Sequence, residues 1–293
     1  MATRTPRTAA KSPATRRNVP RASRPATPRP PAGEAIRIVP LHTGKPMYAL
    51  GALGARDRGD PFDGKPHAAP AKAKLTYRGG ALLSNVEVFA IFWGRQWNAE
   101  PARKVRDGIS AFFTDILGSE LTDQLAEYSV PGKAIGHGTL IGTKVIGTGA
   151  PKGSVTDSAV QQALAKWIRA KTVQKPTANT LYFVYLDPGI VSIMGGGKSC
   201  QSYCGYHSNA GSTYYAVMPY PTCSGCLGGM SAQDALTGTS SHELCEAITD
   251  PVPGTGWYDD VNGEIGDICA WNFRKVGVHT VQLEWSNAKR RCV

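Results

Sequence analysis

Hydrophobic periodicity begins at about Lys74. Residues 85–94, NVEVFAIFWG, form a nearly continuous apolar run of strand length, rich in strand-favouring residues, which predicts a central strand covered on both faces. The pattern then turns helical. Across 99–117, Val105, Ile109, Phe112, Phe113 and Ile116 fall at helical spacing, and Pro101 stands in the first turn, where its missing N–H costs nothing. GTLIGTKVIGTG (138–149) reads as a glycine-punctuated strand or hairpin. TDSAVQQALAKWIRAK (156–171) reads as a helix burying Val160, Leu164, Trp167 and Ile168, and TLYFVYLDPG (180–189) as a second buried strand closed by the turn Asp187-Pro188-Gly189. After a Gly/Ser/Cys-rich segment come a strand in TYYAVMPYP (213–221), a long helix over 231–250 and a terminal strand in VHTVQLEWS (278–286). Strand, helix, strand, helix, strand predicts an α/β, mixed α+β fold: one domain over 74–293 with a central sheet and a long helix.

The first 73 residues show no such pattern. Residues 1–35 hold seven arginines and one lysine against the single acid Glu34, among Pro, Ala and Thr, and cannot bury enough surface to offset their ordering entropy. This tail supplies seven of the eleven net positive charges, so the body is only mildly basic. With the basic residues in a Pro/Ala/Thr-rich tail, and not interleaved with aromatics on the folded part, no specific nucleic-acid partner is expected. The tail lacks the apolar core of a signal peptide, although its composition also resembles an organelle transit peptide, and no run has the length of a transmembrane segment. Oligomeric state leaves no mark in the pattern.

Candidate chemistry lies in TSSHELCEAITDP (239–251). The helix over 231–250 places His242 and Glu246 one turn apart on one face, since four residues rise about 6 Å and return to nearly the same azimuth. The pair can chelate one cation. Glu243 would then lie beside the metal as a candidate catalytic base, the role of the second residue in H-E-x-x-H zinc peptidases. Glu246 stands in place of that motif's second histidine, and a carboxylate is a legitimate zinc ligand. A third ligand must come from elsewhere. Asp250 lies about 12 Å along the helix from His242, against metal bonds near 2 Å, and is better suited to the helix end before Pro251. The candidates are Glu264 and Asp267 in NGEIGDIC, beyond the turn-rich 250–263, or His207 in CGYH. The bland alternatives are a hydrogen-bonded His–Glu pair and a capping box at Ser240-x-x-Glu243. Ser231-x-x-Asp234 is an earlier cap that lets the helix run through the motif. No G-x-S-x-G elbow occurs, and GIVSIMGGGKSC (189–200) lacks phosphate-loop spacing and reads as a flexible loop.

All seven cysteines fall at position 200 or beyond. Cys200, Cys204, Cys223 and Cys226 have the spacing C-x3-C-x18-C-x2-C, near that of a zinc ribbon but with a first pair too wide for the standard knuckle, which favours disulfides. The odd cysteine leaves one free thiol, placed at Cys245 inside the helix.

YRGGALLSNVEVFAIFWG, CQSYCGYH, YYAVMPYPTCSGC, SHELCEAITDP, GWYDDVNGEIGDIC and VQLEWSNAKRRC resemble, in this order, segments of the exordium-like, phosphate-induced proteins of plant cell walls and their microbial relatives. The resemblance covers roughly 75–293 and is most specific in H-E-L-x-E-A-x-T-D-P with E-I-G-D-x-C. It implies a secreted, extracellular protein with disulfides and no settled biochemical activity; the basic tail stands where a signal peptide is expected. Two functions follow. One is a zinc-dependent hydrolase, a metallopeptidase acting on a peptide or cell-wall-associated substrate, in which zinc is the cofactor. The other is a non-catalytic extracellular binding or signalling module whose His/Glu cluster stabilises the fold.

Overall fold

A computed structural model of the chain describes residue 1, residues 38–40 and residues 72–293. Strand β1 (Ile38–Pro40) precedes the body, which runs β2 (Thr76–Tyr77), β3 (Glu87–Trp93), α1 (Ala102–Ile116), α2 (Glu120–Asp123), β4 (Thr139–Ile146), β5 (Ser154–Thr156), α3 (Asp157–Arg169) and β6 (Thr180–Leu186). It continues through β7 (Val191–Met194), β8 (Gly197–Lys198), β9 (Tyr203–Ala210), β10 (Thr213–Met218), α4 (Ser224–Leu227), α5 (Ala232–Thr249) and β11 (Trp257–Tyr258). Two short hairpins close the chain, β12 (Phe273–Val276) with β13 (His279–Gln282) and β14 (Trp285–Ser286) with β15 (Arg291–Cys292).

The central sheet has the order β1-β9-β10-β6-β3-β4, a mixed α+β arrangement. β10, β6, β3 and β4 are parallel, while β9 pairs antiparallel with both β10 and β1. The continuous apolar runs of β3 and β6 follow from this position, since both faces are covered. Val88, Ala90 and Phe92 with Leu181, Phe183 and Tyr185 pack under α1 and α5, and Phe89, Ile91 and Trp93 with Tyr182, Val184 and Leu186 pack under α3. α1 buries Val105, Ile109, Phe112, Phe113 and Ile116, the residues picked out by spacing. α3 starts where the Thr156 hydroxyl accepts from Ala159 N–H, with Asp157 in its first turn and Lys166 and Arg169 in its last, matching the helix dipole at both ends.

α5 sits between β9 and β10 on one side and β13 on the other, touching α1 as well, and every residue from Ala235 to Thr249 is buried. Its sequence explains how a helix rich in hydroxyls survives there. The hydroxyls of Thr239, Ser241 and Thr249 donate to helix carbonyls three or four residues back, and Ser240 Oγ shares a hydrogen bond with Tyr185 Oη. Small residues bring the neighbours close. A Cβ at Gly238 would lie 2.7 Å from the Phe273 ring, and one at Gly205 on β9 would lie 2.8 Å from Thr239. Ser231 caps the helix, its Oγ accepting from Asp234 N–H, so the earlier of the two cap candidates is used and Ser240 lies mid-helix.

Two expectations need correction, and the predicted tail gains one short strand. The segment 189–200 is not a loop throughout: β7 and β8 form a hairpin whose turn takes positive φ at Gly195 and Gly196. The Gly/Ser/Cys-rich segment after it contains β9, an eight-residue strand whose small and polar residues hid its β character. The predicted tail over 1–73 contains β1, which adds to the β9 edge with Ile38 opposite Tyr206 and Val39 opposite Gly205, and Val39 is buried against Cys204, Cys226 and Trp271. The short segment recovers its ordering cost from a ladder and one apolar contact, which composition alone does not reveal. Apart from residues 1, 38–40 and 72–73, the tail expectation falls outside the described residues.

Candidate metal centre

The site is built where α5 faces β9 and the loop 264–267. His207 on β9 lies opposite Ala216, whose side of the sheet packs toward α1 and α5, so its ring points at the helix. Gly205, two residues earlier on the same face, admits α5 near enough for contact. The loop approaches from the other side through Gly266, where a Cβ would lie 2.9 Å from the His242 ring. Gly263 adopts φ +87°, and a Cβ there would meet the Asp267 carboxylate at 2.2 Å. Glycine at 263 and 266 is thus a steric condition for Glu264 and Asp267 to reach the helix.

His242 Nε2 lies 2.9 Å from Glu246 Oε1 and 3.9 Å from Asp267 Oδ1. His207 Nδ1 lies 2.9 Å from Glu243 Oε2 and 3.4 Å from Glu246 Oε2, and its Nε2 lies 3.5 Å from Glu264 Oε1. His207, His242, Glu243, Glu246 and Glu264 are fully buried, and Asp267 is 7% exposed. All five candidate ligands and the candidate base therefore meet in one place. Two triads have ligand atoms within 4.8 Å of one another: His242 with Glu246 and Asp267, and His207 with Glu246 and Glu264. Asp250 belongs to neither. Its carboxylate accepts from Gly254, Thr255 and Gly256 N–H, fixing the turn after the helix, the role its position suggested.

Gln282 was not recognised from the sequence, and it decides the state of His242. Its Oε1 accepts from Trp271 N–H at 3.2 Å and its Nε2 donates to the Gly266 carbonyl at 2.9 Å, which fixes the amide's orientation. His242 Nδ1, 3.0 Å from that same Oε1, must therefore be the donor. This leaves Nε2 directed at carboxylates, the arrangement by which a carbonyl partner orients a metal-ligating histidine. Glu284 was missed too. It is fully buried, with neither carboxylate oxygen hydrogen-bonded. The signal was there: Thr280, Gln282 and Glu284 alternate with Val281, Leu283 and Trp285, which reads as a wet face, whereas all three are buried, with Thr280 bonded to Asp234 and Gln282 to His242.

Six atoms of the cluster are buried without a hydrogen-bond partner: His242 Nε2, Glu243 Oε1, Glu246 Oε2, both Glu264 oxygens and Asp267 Oδ1. The 2.9 Å approach of His242 Nε2 to Glu246 is a charge contact whose geometry is not that of a hydrogen bond. Burial drives the carboxyls of Glu264, Asp267 and Glu243 above their ordinary range. Burial acts on Glu246 in the same sense, but His242 and His207 outweigh it and hold Glu246 down at about 2. Burial works to lower the His207 pKa, and its hydrogen bond to Glu243, with the negative charge of the neighbouring Glu246 carboxylate, overcomes this and pushes it up to about 10. Without a cation the cluster is neutralised by protons shared among acids and imidazoles. The donor set, nitrogen and carboxylate oxygen with unused lone pairs, suits a divalent first-row metal.

The cysteines take the other course. Cys200–Cys223 and Cys204–Cys226 are disulfides, Cys269–Cys292 is a third, and Cys245 is a buried free thiol on α5. The pairing ties the start of β9 to α4 and the loop after Asp267 to the C-terminus. Such bonds form and persist in oxidising surroundings. Among the described residues no helix is long and apolar enough to cross a membrane.

No family model and no curated protein matches the chain. Among solved structures, it is similar to a chain of a chaperone–substrate complex, with 15% identity and a TM-score of 0.33, over 66% of this chain and 27% of that one. It is also similar to metalloproteinase-II from Bacteroides fragilis, with 14% identity and a TM-score of 0.35, over 73% of this chain and 54% of that one. The chain thus spans about a quarter and about half of these two proteins, and likenesses this slight carry no function across.

Proposed function

We propose that the protein is a metal-dependent hydrolase, with zinc the first candidate cation and an extended polypeptide the first candidate substrate. The observation that carries this reading is the His242 ring: Nδ1–H is committed to Gln282, and Nε2 is turned on Glu246 and Asp267 where burial leaves no solvent donor. A divalent cation bound there would acidify a water and polarise a substrate carbonyl. Glu243 is the base. It follows the ligand His242 on the helix, His207 Nδ1 holds its Oε2 at 2.9 Å, and its Oε1 has no partner, so that oxygen can take a proton. His207 is a positioning residue in this scheme, since Oε1 is aimed only while Oε2 is fixed. The peptide assignment rests on β1, an extended segment lying antiparallel along the β9 edge beside the strand position of His207.

Membership of the exordium-like family and an extracellular location belong to the same proposal, supported by the ordered motifs and the three disulfides. One observation favours the non-catalytic module instead: the cluster is closed, whereas a catalytic zinc keeps a position open. Glu243→Gln separates the two. In zinc-loaded protein, both full-length and lacking residues 1–71, peptide hydrolysis is expected to disappear in the variant while zinc content stays unchanged. If the unsubstituted chain in both forms cleaves no peptide, the binding module replaces the hydrolase.

A further inference from the structure

A single cation at His242, Glu246 and Asp267 leaves much of the cluster unexplained. Glu264 is fully buried, both its oxygens lack partners, and it stands with His207 on the far side of Glu246. The two histidines fall in different triads, and the only residue common to both is Glu246. Its carboxylate faces both ways. Oε1 is 2.9 Å from His242 Nε2 and accepts from Asp267 N–H at 3.1 Å, while Oε2 is 3.4 Å from His207 Nδ1 and otherwise unpartnered.

We propose that this cluster holds two divalent cations bridged by Glu246, one with His242 and Asp267, the other with His207 and Glu264. The inference rests on the metal-binding reading above and goes beyond it in number, in bridging ligand and in the work given to His207 and Glu264. Charge supports the count. Glu243, Glu246, Glu264 and Asp267 are four carboxylates in a region sealed from water, and burying an uncompensated charge is costly. One dication offsets half of the full charge of these four; two offset all of it with both imidazoles neutral, the buried Glu284 lying outside both triads. Coordination explains His242 Nε2 and the orphaned carboxylate oxygens on both sides at once, and His207, whose Nδ1 meets Glu243 and whose Nε2 lies 3.2 Å from the Asp250 carbonyl, exchanges one of these contacts for the ion. Carboxylate-bridged pairs in hydrolases stand about 3.5–4 Å apart, a separation one carboxylate can span with an oxygen on each ion. Asp250 anchors its turn and is not needed as a ligand.

The test uses the full chain, stripped with chelator, reloaded with zinc chloride, freed of excess metal and assayed for bound zinc by mass spectrometry of the metal, with near-ultraviolet circular dichroism confirming the fold. About two zinc ions per chain are expected, falling to about one in Glu264→Gln and about one in Asp267→Asn, as the two lie in separate triads. Cobalt substitution supplies a second readout: two bridged ions give magnetically coupled spectra, and each single variant is expected to lose the coupling. One zinc per folded chain, untouched by Glu264→Gln, overturns the second cation and leaves the metal-dependent hydrolase standing. No zinc in folded, unsubstituted protein overturns both.

Discussion

Two regions offer the residue types of a metal site, and they spend them in opposite ways. Near the start of β9, Cys200, Cys223 and Cys226 come near enough to ligate an ion, yet their sulfurs are committed to bonds with Cys223, Cys200 and Cys204. A few residues along the same strand, His207 meets the carboxylates of Glu243, Glu246 and Glu264, and four of their six oxygens have no partner. Proximity of ligating atoms is common to both. What separates them is whether each buried polar atom already has a partner, because a fold tolerates an orphaned carboxylate in its interior only where something else completes it.

The largest expected effect breaks the cluster itself. Removing metal by chelation should lower stability by about 4 kcal/mol relative to protein held at a thousandfold excess of zinc over its Kd. His242→Ala should abolish zinc binding at its own triad and cost about 3–5 kcal/mol, since it leaves Glu246 and Asp267 facing each other across a void. Urea denaturation of loaded, stripped and substituted protein checks both figures. If chelator leaves the midpoint unmoved, the cluster is completed by protons and the contrast with the cysteines disappears.

Much of this was legible in the sequence, for physical reasons that differ from element to element. β3, β6, α1 and α3 announce themselves because burial of one or two faces imposes a period on apolar residues. α5 is readable from its cap at Ser231 and its end at Asp250 rather than from an apolar stripe, because it is buried on all sides. Spacing on α5 brought out His242, Glu243 and Glu246, and acids beyond the turn brought out Glu264 and Asp267. Which of these meet depends on Gly205, Gly263 and Gly266 letting three elements close in, and contact across elements has no local signature. Gln282 and Glu284 escaped because a buried polar face has the same alternation as one turned to water. β9 escaped because strand propensity is carried by side chains that it largely lacks.

The next effect tests the cysteine side. Cys204→Ala with Cys226→Ala removes a cross-link and should cost about 2–4 kcal/mol while leaving zinc stoichiometry unchanged. Thermal melts beside metal analysis show whether the two regions are independent. Loss of zinc on removing these cysteines, with the fold intact, would turn the knot into a metal knuckle and reverse the comparison.

A smaller effect sharpens it. Gln282→Leu keeps approximate volume but takes away the acceptor that holds His242 Nδ1–H, so zinc affinity should fall about 10–100-fold. Because Trp271 N–H and the Gly266 carbonyl also lose their partner, some stability goes with it. Competition with a chromophoric chelator measures the affinity. His242→Ala makes the control: if Gln282→Leu adds no further loss in that background, the glutamine acts through the histidine.

The smallest effect concerns β1, which touches both regions. Val39 packs on Cys204 and Cys226, and the strand runs along β9 toward the position of His207. Burying a valine contributes about 1.5–3 kcal/mol, and each ladder hydrogen bond adds about 1 kcal/mol. Against this stands about 1–2 kcal/mol of backbone entropy for each ordered residue. The terms nearly cancel, so deleting residues 1–71 should lower stability by less than about 2 kcal/mol, a shift of a few degrees in Tm for a body of this size. Kinetics should show more than the melt. With the β9 edge uncovered, backbone amides of β9 should exchange with solvent faster, and zinc should pass to a chelator sooner, because β1 lies on the sheet edge nearest the cluster. Faster zinc transfer with an unchanged final stoichiometry would place the seal of the cluster at that edge. An unchanged rate would mean that α5, β13 and the loop 264–267 close it without help, and that the contrast between committed sulfurs and waiting carboxylates is maintained by the body alone.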